Sequence, residues 1–152
     1  MNIRKMVLGA VLVFIGLPVV LVLIAVGFFY AYCYSMPRAN GTLVSSGQKR
    51  EYLLYVPKSY DRTKPTPLVI SLHAAATWPA TQMEISQWNK VADEQGFIVV
   101  YPSGTMFLGG GGTGVLPNIW HVDRGAGLMR DVRFISELID TLRARSPIRI
   151  VS

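Results

Sequence analysis

An uncharged apolar run from Met6 to Tyr34 constrains this chain more than any other feature of its sequence. A helix needs roughly 20 apolar residues to cross a hydrocarbon core about 30 Å thick, and this run is longer. Pro18 lies within the run and is compatible with a membrane-spanning helix. We therefore predict that residues 6–34 form one transmembrane signal anchor whose side chains contact membrane lipid.

Charges on either side of the run predict its orientation. Arg4 and Lys5 precede it, whereas the next cation in the sequence is Arg38. Cations close to a transmembrane helix favour the cytoplasmic side. Residues 1–5 are therefore predicted to be cytoplasmic and the rest of the chain extracytoplasmic, as in a single-pass membrane protein.

A cleaved signal peptide is the alternative, and it would leave the protein secreted. The apolar core of a signal peptide spans about 7–15 residues and is followed by small residues at the cleavage site. Here the run is longer, and Tyr30, Tyr32 and Tyr34 lie near its end, where tyrosines typically anchor a helix at the interface. The sequence favours the uncleaved anchor.

Charge and cysteine content narrow the possible partners. The formal net charge of +6 arises from 15 Lys and Arg residues against 9 Asp and Glu residues. The cations are scattered rather than grouped in a basic stripe, so no nucleic-acid partner is predicted. Cys33 is the single cysteine, which excludes a disulfide within the chain and permits lipidation at the membrane edge.

The remainder of the chain has the element order of an α/β domain. Residues 35–40 are predicted to be a linker, and residues 41–152 the soluble domain. Short apolar or β-prone runs alternate with segments of helical spacing, which predicts a β-hairpin followed by a mostly parallel sheet with flanking helices. The predicted strands are Thr42–Ser45, Glu51–Val56, Leu68–Leu72, Phe97–Tyr101 and Ile148–Val151, the helices are Met83–Glu94 and Asp131–Arg145, and residues 103–127 are a predicted loop.

The two predicted helices each have an apolar face. Spacing of three and four residues predicts that these faces pack against the sheet. The first face consists of Ile85, Trp88, Val91 and Ala92, and the second of Val132, Ile135, Leu138, Ile139 and Leu142.

Four segments resemble, in this order, the N-terminal half of the polyhydroxybutyrate depolymerase and feruloyl-esterase-like family of α/β hydrolases. The resemblance covers about residues 41–145, and the ordered combination of segments is more specific than any one of them. The segments are REYLLYVPKSY, PLVISLHAAA, ISQWNKVADEQGFIVVYPSGT and DVRFISELIDTL.

This resemblance implies an oxyanion-hole loop at His73, Ala74 and Ala75. In the family a strand ends in Leu-His-Gly, and a backbone N–H of the following loop stabilises the tetrahedral intermediate of ester hydrolysis. Ala74 replaces the glycine here, which predicts a penalty if the position requires a positive φ. The resemblance also implies that His73 supports the loop and is not the catalytic base.

The resemblance further implies that the catalytic triad is missing from this chain. The family continues through a strand into Gly-x-Ser-x-Gly, and the acid and the base follow later. Ser152 falls roughly four residues short of that nucleophile and is therefore not predicted to be catalytic. The junction near Ser146 is also shorter than in the family, which suggests a deletion, a frameshift or an incomplete sequence.

Two functions follow from these patterns. The chain is the N-terminal part of a membrane-anchored serine ester hydrolase, inactive by itself, or it is a non-catalytic membrane-bound remnant or interaction module. No cofactor and no metal site are predicted. Gly109–Gly114 lacks the Gly-Lys-Ser/Thr ending of a phosphate-binding loop, and His121 with Asp123 supplies too few ligands for a metal.

Overall fold

The computed structural model describes residues 3–4, 9, 12–37, 39–106, 118–121, 126–145 and 148–149. They belong to two compact units, Met1–Met36 and Pro37–Ser152. The helices are α1 (Leu17–Ser35), α2 (Pro79–Ser86), α3 (Trp88–Gln95) and α4 (Ala126–Arg145). The strands are β1 (Gly41–Ser45), β2 (Gln48–Tyr55), β3 (Thr66–Ile70), β4 (Ile98–Pro102), β5 (Thr105–Met106), β6 (Asn118–Ile119) and β7 (Ile148–Arg149).

The N-terminal unit contains an apolar helix. A π-helical turn, Leu12–Gly16, precedes α1, and Pro18 lies in the first turn of α1, a position at which proline is tolerated. The segment Val13–Tyr32 has a mean hydropathy of 2.7, and none of it is buried within the protein. Among the described residues, this helix is the one long and apolar enough to cross a membrane.

A hairpin begins the second unit, as predicted. β1 and β2 pair antiparallel, and Ser46 and Gly47 between them have φ of 50° and 74°. Two consecutive positive φ values are typical of the tight turns whose twist matches that of the flanking strands. The second strand begins at Gln48, three residues before the predicted Glu51, because the turn contains two residues only.

The hairpin continues into a five-stranded sheet with the order β1-β2-β4-β3-β7. β4 pairs antiparallel with β2 and parallel with β3, and β7 pairs parallel with β3. The predicted α/β fold is therefore confirmed, with parallel strands on one side of β4 and the hairpin on the other. β4 is buried throughout, in agreement with its uninterrupted apolar sequence.

The predicted helix Met83–Glu94 is wrong in its extent. Two helices, α2 and α3, meet at Gln87, whose left-handed backbone (φ 56°) interrupts the helical hydrogen bonds. Gly96 ends α3 as predicted, with a left-handed backbone and an N–H that donates to Ala92 O. Only Ala92 of the predicted apolar face is buried, whereas Ile85 is 75% exposed.

The buried face of α4 also differs from the predicted one, because it includes Asp131 and Phe134, which the prediction omitted, and excludes Val132. Phe134, Leu138 and Leu142 are buried in the core with Tyr52 and Val100 of the sheet. Val132 is half exposed, because the side chain that begins the buried face is Asp131. The polar character of Asp131 concealed this face in the sequence.

A small antiparallel sheet lies within the region predicted to be a loop. β5 pairs with β6, and Thr77 forms an isolated bridge to Asn118. The predicted loop is therefore wrong at these four strand residues and at Ala126 and Gly127, because α4 begins five residues before the predicted Asp131. Gly109–Gly114 lies outside the described residues.

Candidate functional site

The segment that follows β3 is the candidate site, and we refer to residues 71–78 as the β3–α2 loop. Its first part is anchored, since His73 is 3% exposed. Ala74, Ala75 and Ala76 are exposed to solvent. The loop is therefore anchored at the buried His73, and three exposed alanines follow it.

Both ring nitrogens of His73 are occupied. The N–H of Gly104 donates to Nε2 at 2.9 Å, which requires Nε2 to be unprotonated. Nδ1 therefore carries the proton and donates to Ala74 O at 2.8 Å. Burial lowers the pKa of His73, against the opposing effect of the hydrogen bond to Ala74, and this favours the neutral ring.

Trp120 covers the histidine from the other side. Its indole ring lies 4.9 Å from the His73 ring, centroid to centroid, and its Nε1–H donates to His73 O at 2.9 Å. Gly104 packs tightly against Ile119: a Cβ at Gly104 would lie 2.4 Å from Ile119 O. Only glycine fits at this position, so the contact with His73 depends on it.

A second set of hydrogen bonds holds the end of the β3–α2 loop. The N–H of Ala76 donates to Asn118 O at 3.0 Å, and the N–H of Asn118 donates to Thr77 O at 3.1 Å. The Thr77 hydroxyl donates back to Ala74 O at 2.8 Å. The fully buried amide of Asn118 donates to the Ser103 hydroxyl, which ties the loop to the end of β4.

Two backbone N–H groups of this loop remain available. Those of Ala74 and Ala75 donate to no acceptor within the described part of the chain. Ala76 has φ of 58°, whereas neither Ala74 nor Ala75 has a positive φ. The alanine that replaces the family's glycine, Ala74, therefore carries no left-handed strain, and the strained residue of the loop is Ala76.

A buried ion pair between Arg50 and Asp131 contacts Ser103, the residue that accepts from the Asn118 amide. Arg50 Nη2 donates to Asp131 Oδ1 at 2.9 Å and to Ser103 O at 3.1 Å, and its guanidinium lies 4.0 Å from the centre of the Phe134 ring. Burial lowers the pKa of Arg50, while Asp131 opposes that shift. Asp131 Oδ2 also accepts from the backbone N–H of His121 at 2.7 Å and lies 3.1 Å from its Nδ1.

An apolar groove of about 330 Å³ adjoins the start of the β3–α2 loop. Leu72, Trp120, Val132 and Ile135 supply most of its wall. The groove adjoins His73, since Leu72 immediately precedes it in the chain and Trp120 donates to its backbone oxygen.

Other predicted residues have different surroundings. Asp93, late in α3, accepts from Lys58 N and the Tyr55 hydroxyl, which lower its pKa in that order. Trp88 is partly exposed and packs edge-on against Phe97.

The described part of the chain contains neither a complete metal site nor a complete catalytic triad. It contains no group of three or more His, Cys, Asp or Glu side chains placed to hold a metal ion. No serine hydroxyl within it hydrogen-bonds to either histidine. Asp123 and Ser152 lie outside the described residues.

Comparison with known proteins identifies an esterase among the relatives. Over 97 residues the chain is 30% identical to a bifunctional acetylxylan esterase/xylanase from Neocallimastix patriciarum, and the match covers 64% of this chain and 12% of that protein. No family model matches the chain.

One solved structure shares the fold at low sequence identity, and a second is a weaker match. A serine-to-cysteine variant of pOPH in complex with DMSO superposes with a TM-score of 0.52 at 13% identity, over 76% of this chain and 41% of that one. An alpha-beta serine hydrolase homologue from Coxiella burnetii superposes with a TM-score of 0.43 at 16% identity, over 76% and 52% of the two chains. The esterase match and the α/β fold together support a relationship to the α/β hydrolases that cleave esters.

Proposed function

We propose that residues 41–152 form the N-terminal part of the catalytic domain of a carboxylic ester hydrolase similar to the polyhydroxybutyrate depolymerases and feruloyl esterases. Its contribution to catalysis is the β3–α2 loop. The observation that carries the proposal is that Ala74 and Ala75 are exposed residues whose N–H groups have no acceptor among the described residues, on a loop held by both ring nitrogens of His73. Preorganised backbone donors of this kind stabilise an oxyanion without reorganisation during the reaction.

Strand register indicates where a nucleophile that follows β7 would lie. β7 pairs with β3 through Thr66 and Ile148. Leu72 lies six residues after Thr66, so a continued strand would bring the sixth residue after Ile148 opposite Leu72. A nucleophile just beyond that point would lie beside His73 and the loop.

This arrangement assigns a defined role to the loop in ester hydrolysis. A serine on the continued strand attacks the ester carbonyl, and the carbonyl oxygen gains negative charge in the tetrahedral intermediate. The N–H groups of Ala74 and Ala75 donate to that oxygen. The apolar groove beside Leu72 and Trp120 would hold an apolar part of the ester.

Membrane anchorage is the second part of the proposal. The exposed apolar segment Val13–Tyr32 supports a lipid-facing helix, with the catalytic domain outside the cytoplasm. A cleaved signal peptide would instead release the domain.

The nucleotide sequence downstream of Ser152 tests the catalytic part. We expect a reading frame that continues into Gly-x-Ser-x-Gly, followed by an acid and a histidine, and we expect the extended protein to hydrolyse short p-nitrophenyl esters. Serine-to-alanine substitution in that motif should abolish hydrolysis, and the 152-residue chain should be inactive. Hydrolysis by the 152-residue chain that is lost in Ser152→Ala would contradict the nucleophile assignment.

A non-catalytic membrane-bound module is the alternative, and the same experiment separates the two. An extended protein that binds no ester and carries no such motif would favour the module. The available N–H groups of the loop would then be ordinary solvated backbone.

A further inference from the structure

We propose that the cavity between the β1–β2 turn and α4 binds the phosphate group of an acidic phospholipid. The proposal rests on the membrane anchorage proposed above and is independent of ester hydrolysis. The cavity has a volume of about 600 Å³, and no residue of the β3–α2 loop lines it, although Val132 and Ser136 also line the apolar groove. It is lined by Ser46, Met129, Arg130, Val132, Arg133 and Ser136.

Two arginines give the cavity its charge. Arg130 and Arg133 are three residues apart on α4, so their side chains lie on neighbouring positions of one helix face. Both are exposed, and neither forms an ion pair with an acidic side chain among the residues that the structure describes. Arg50 differs, since its charge is compensated by Asp131. The two exposed guanidinium groups are therefore available to a bidentate anion such as phosphate.

Apolar side chains in the same cavity favour a lipid over free phosphate. Met129 is 65% exposed and Val132 is 50% exposed, beside the two arginines. A helix face that combines cations with exposed apolar residues is typical of peptide segments at the membrane interface, where headgroup and acyl chain meet. Free inorganic phosphate would leave these apolar groups in water.

The short connection to α1 favours the same ligand. Residues 36–40 join α1 to β1, and five extended residues span at most about 18 Å. If α1 crosses the bilayer, this segment keeps the start of β1 close to the headgroups. β1 adds about 17 Å between Gly41 and the turn at Ser46, so the cavity stays within about 35 Å of the membrane end of α1 along the chain.

Methionine footprinting of the full chain in nanodiscs tests the proposal. Met129 lines the cavity, so a bound headgroup should protect its thioether from oxidation as the mole fraction of phosphatidylglycerol in phosphatidylcholine rises, with Met83 of α2 as the internal reference. Each interfacial arginine contributes about a fivefold change in affinity for the anionic lipid. Arg130→Gln with Arg133→Gln should therefore lower that affinity by about 30-fold, and the protection of Met129 should fall with it.

Matched controls separate the cavity from general charge effects. Arg143→Gln with Arg145→Gln removes the same charge from the exposed end of the same helix and should leave protection of Met129 unchanged. Equal losses in both double variants, or no protection by phosphatidylglycerol in the wild type, would overturn the proposal.

Inorganic phosphate added to pure phosphatidylcholine nanodiscs distinguishes the source of the anion. Protection by inorganic phosphate equal to that by lipid would contradict the lipid assignment. A chain that fails to enter nanodiscs contradicts the anchor alone, and the cavity is then tested with soluble dihexanoyl phosphatidylglycerol, for which the same difference between the two double variants is expected.

Discussion

His73 determines the geometry of the candidate site at the scale of single residues. Its ring accepts from Gly104, donates to Ala74 and lies against Trp120. The sequence resemblance implied a supporting role for His73, and that role stays a prediction. The partners Gly104 and Trp120 could not be inferred from the sequence, because they lie about 30 residues or more away and belong to a region without periodicity.

Removal of the His73 ring should destabilise the domain. In His73→Ala the buried N–H of Gly104 loses its acceptor, and a buried donor without a partner costs about 1–3 kcal/mol. Urea unfolding of the full chain in neutral detergent measures the loss. His121→Ala is the control and should cost less than about 1 kcal/mol, because the backbone N–H of His121 still binds Asp131. Equal costs would contradict the anchoring role of His73.

Stability should also depend on pH through His73. Burial lowers its folded pKa below the unfolded value, so protonation favours the unfolded state. The contribution is fully present above a pH of about 6.5 and is lost as the pH falls towards the folded pKa, with a slope of at most about 1.4 kcal/mol per pH unit. Unfolding measured between neutral and mildly acidic pH checks this, and the slope should decrease in His73→Ala. An unchanged slope would assign the dependence to other groups.

Ala76 is strained, and glycine should relieve it. A left-handed backbone costs an L-residue about 1–2 kcal/mol, whereas glycine tolerates it at the expense of a more flexible unfolded chain. We expect Ala76→Gly to stabilise the domain by about 0.5–1 kcal/mol in urea unfolding. Ala75→Gly, at a residue without positive φ, should destabilise it by a similar amount. Stabilisation by both substitutions would indicate that the loop is not fixed as described.

At the scale of elements, local signals identified the strands and hairpin, while helix faces depended on tertiary contacts. The Ser46-Gly47 turn and the Gly96 stop are local features and were predictable. The break at Gln87 was not, because glutamine is a good helix former and its left-handed backbone has no signal in the sequence. On α4 a polar residue, Asp131, occupies the buried face.

The Arg50–Asp131 ion pair joins β2 to α4 and should be costly to break. Asp131→Ala leaves a buried guanidinium without its counterion, which typically destabilises a protein by about 3–5 kcal/mol. Urea unfolding measures this, and Lys64→Ala, which removes an exposed ion pair with Asp61, should change stability by less than about 1 kcal/mol. The double variant Arg50→Met with Asp131→Leu should recover part of the loss, since no unpaired charge remains. A double variant less stable than Asp131→Ala would contradict this account.

At the scale of the whole molecule, the sequence predicted the α/β class and the strands of the main sheet, whereas the strand order and the small β5–β6 sheet required the structure. The chain visits β3 before β4, yet β4 lies between β2 and β3. This order places the end of β3 beside the path of β7, and so makes the β3–α2 loop the candidate site. Sequence periodicity contains no information about such neighbours, because every buried strand has a similar apolar pattern.

The apolar helix gives the last prediction, which concerns the membrane. If α1 is an uncleaved anchor, the chain should remain in the membrane fraction after alkaline extraction and retain the mass of all 152 residues. Arginine at the centre of a spanning helix costs about 2.5–3.5 kcal/mol on insertion scales, so Leu21→Arg with Ile24→Arg should release the chain. Ser35→Arg with Met36→Arg adds the same charge at the helix end, where insertion tolerates it, and should leave the chain in the membrane. A mature protein that has lost its N-terminal residues would instead indicate a cleaved signal peptide, and the anchorage on which the phospholipid site depends would then be wrong.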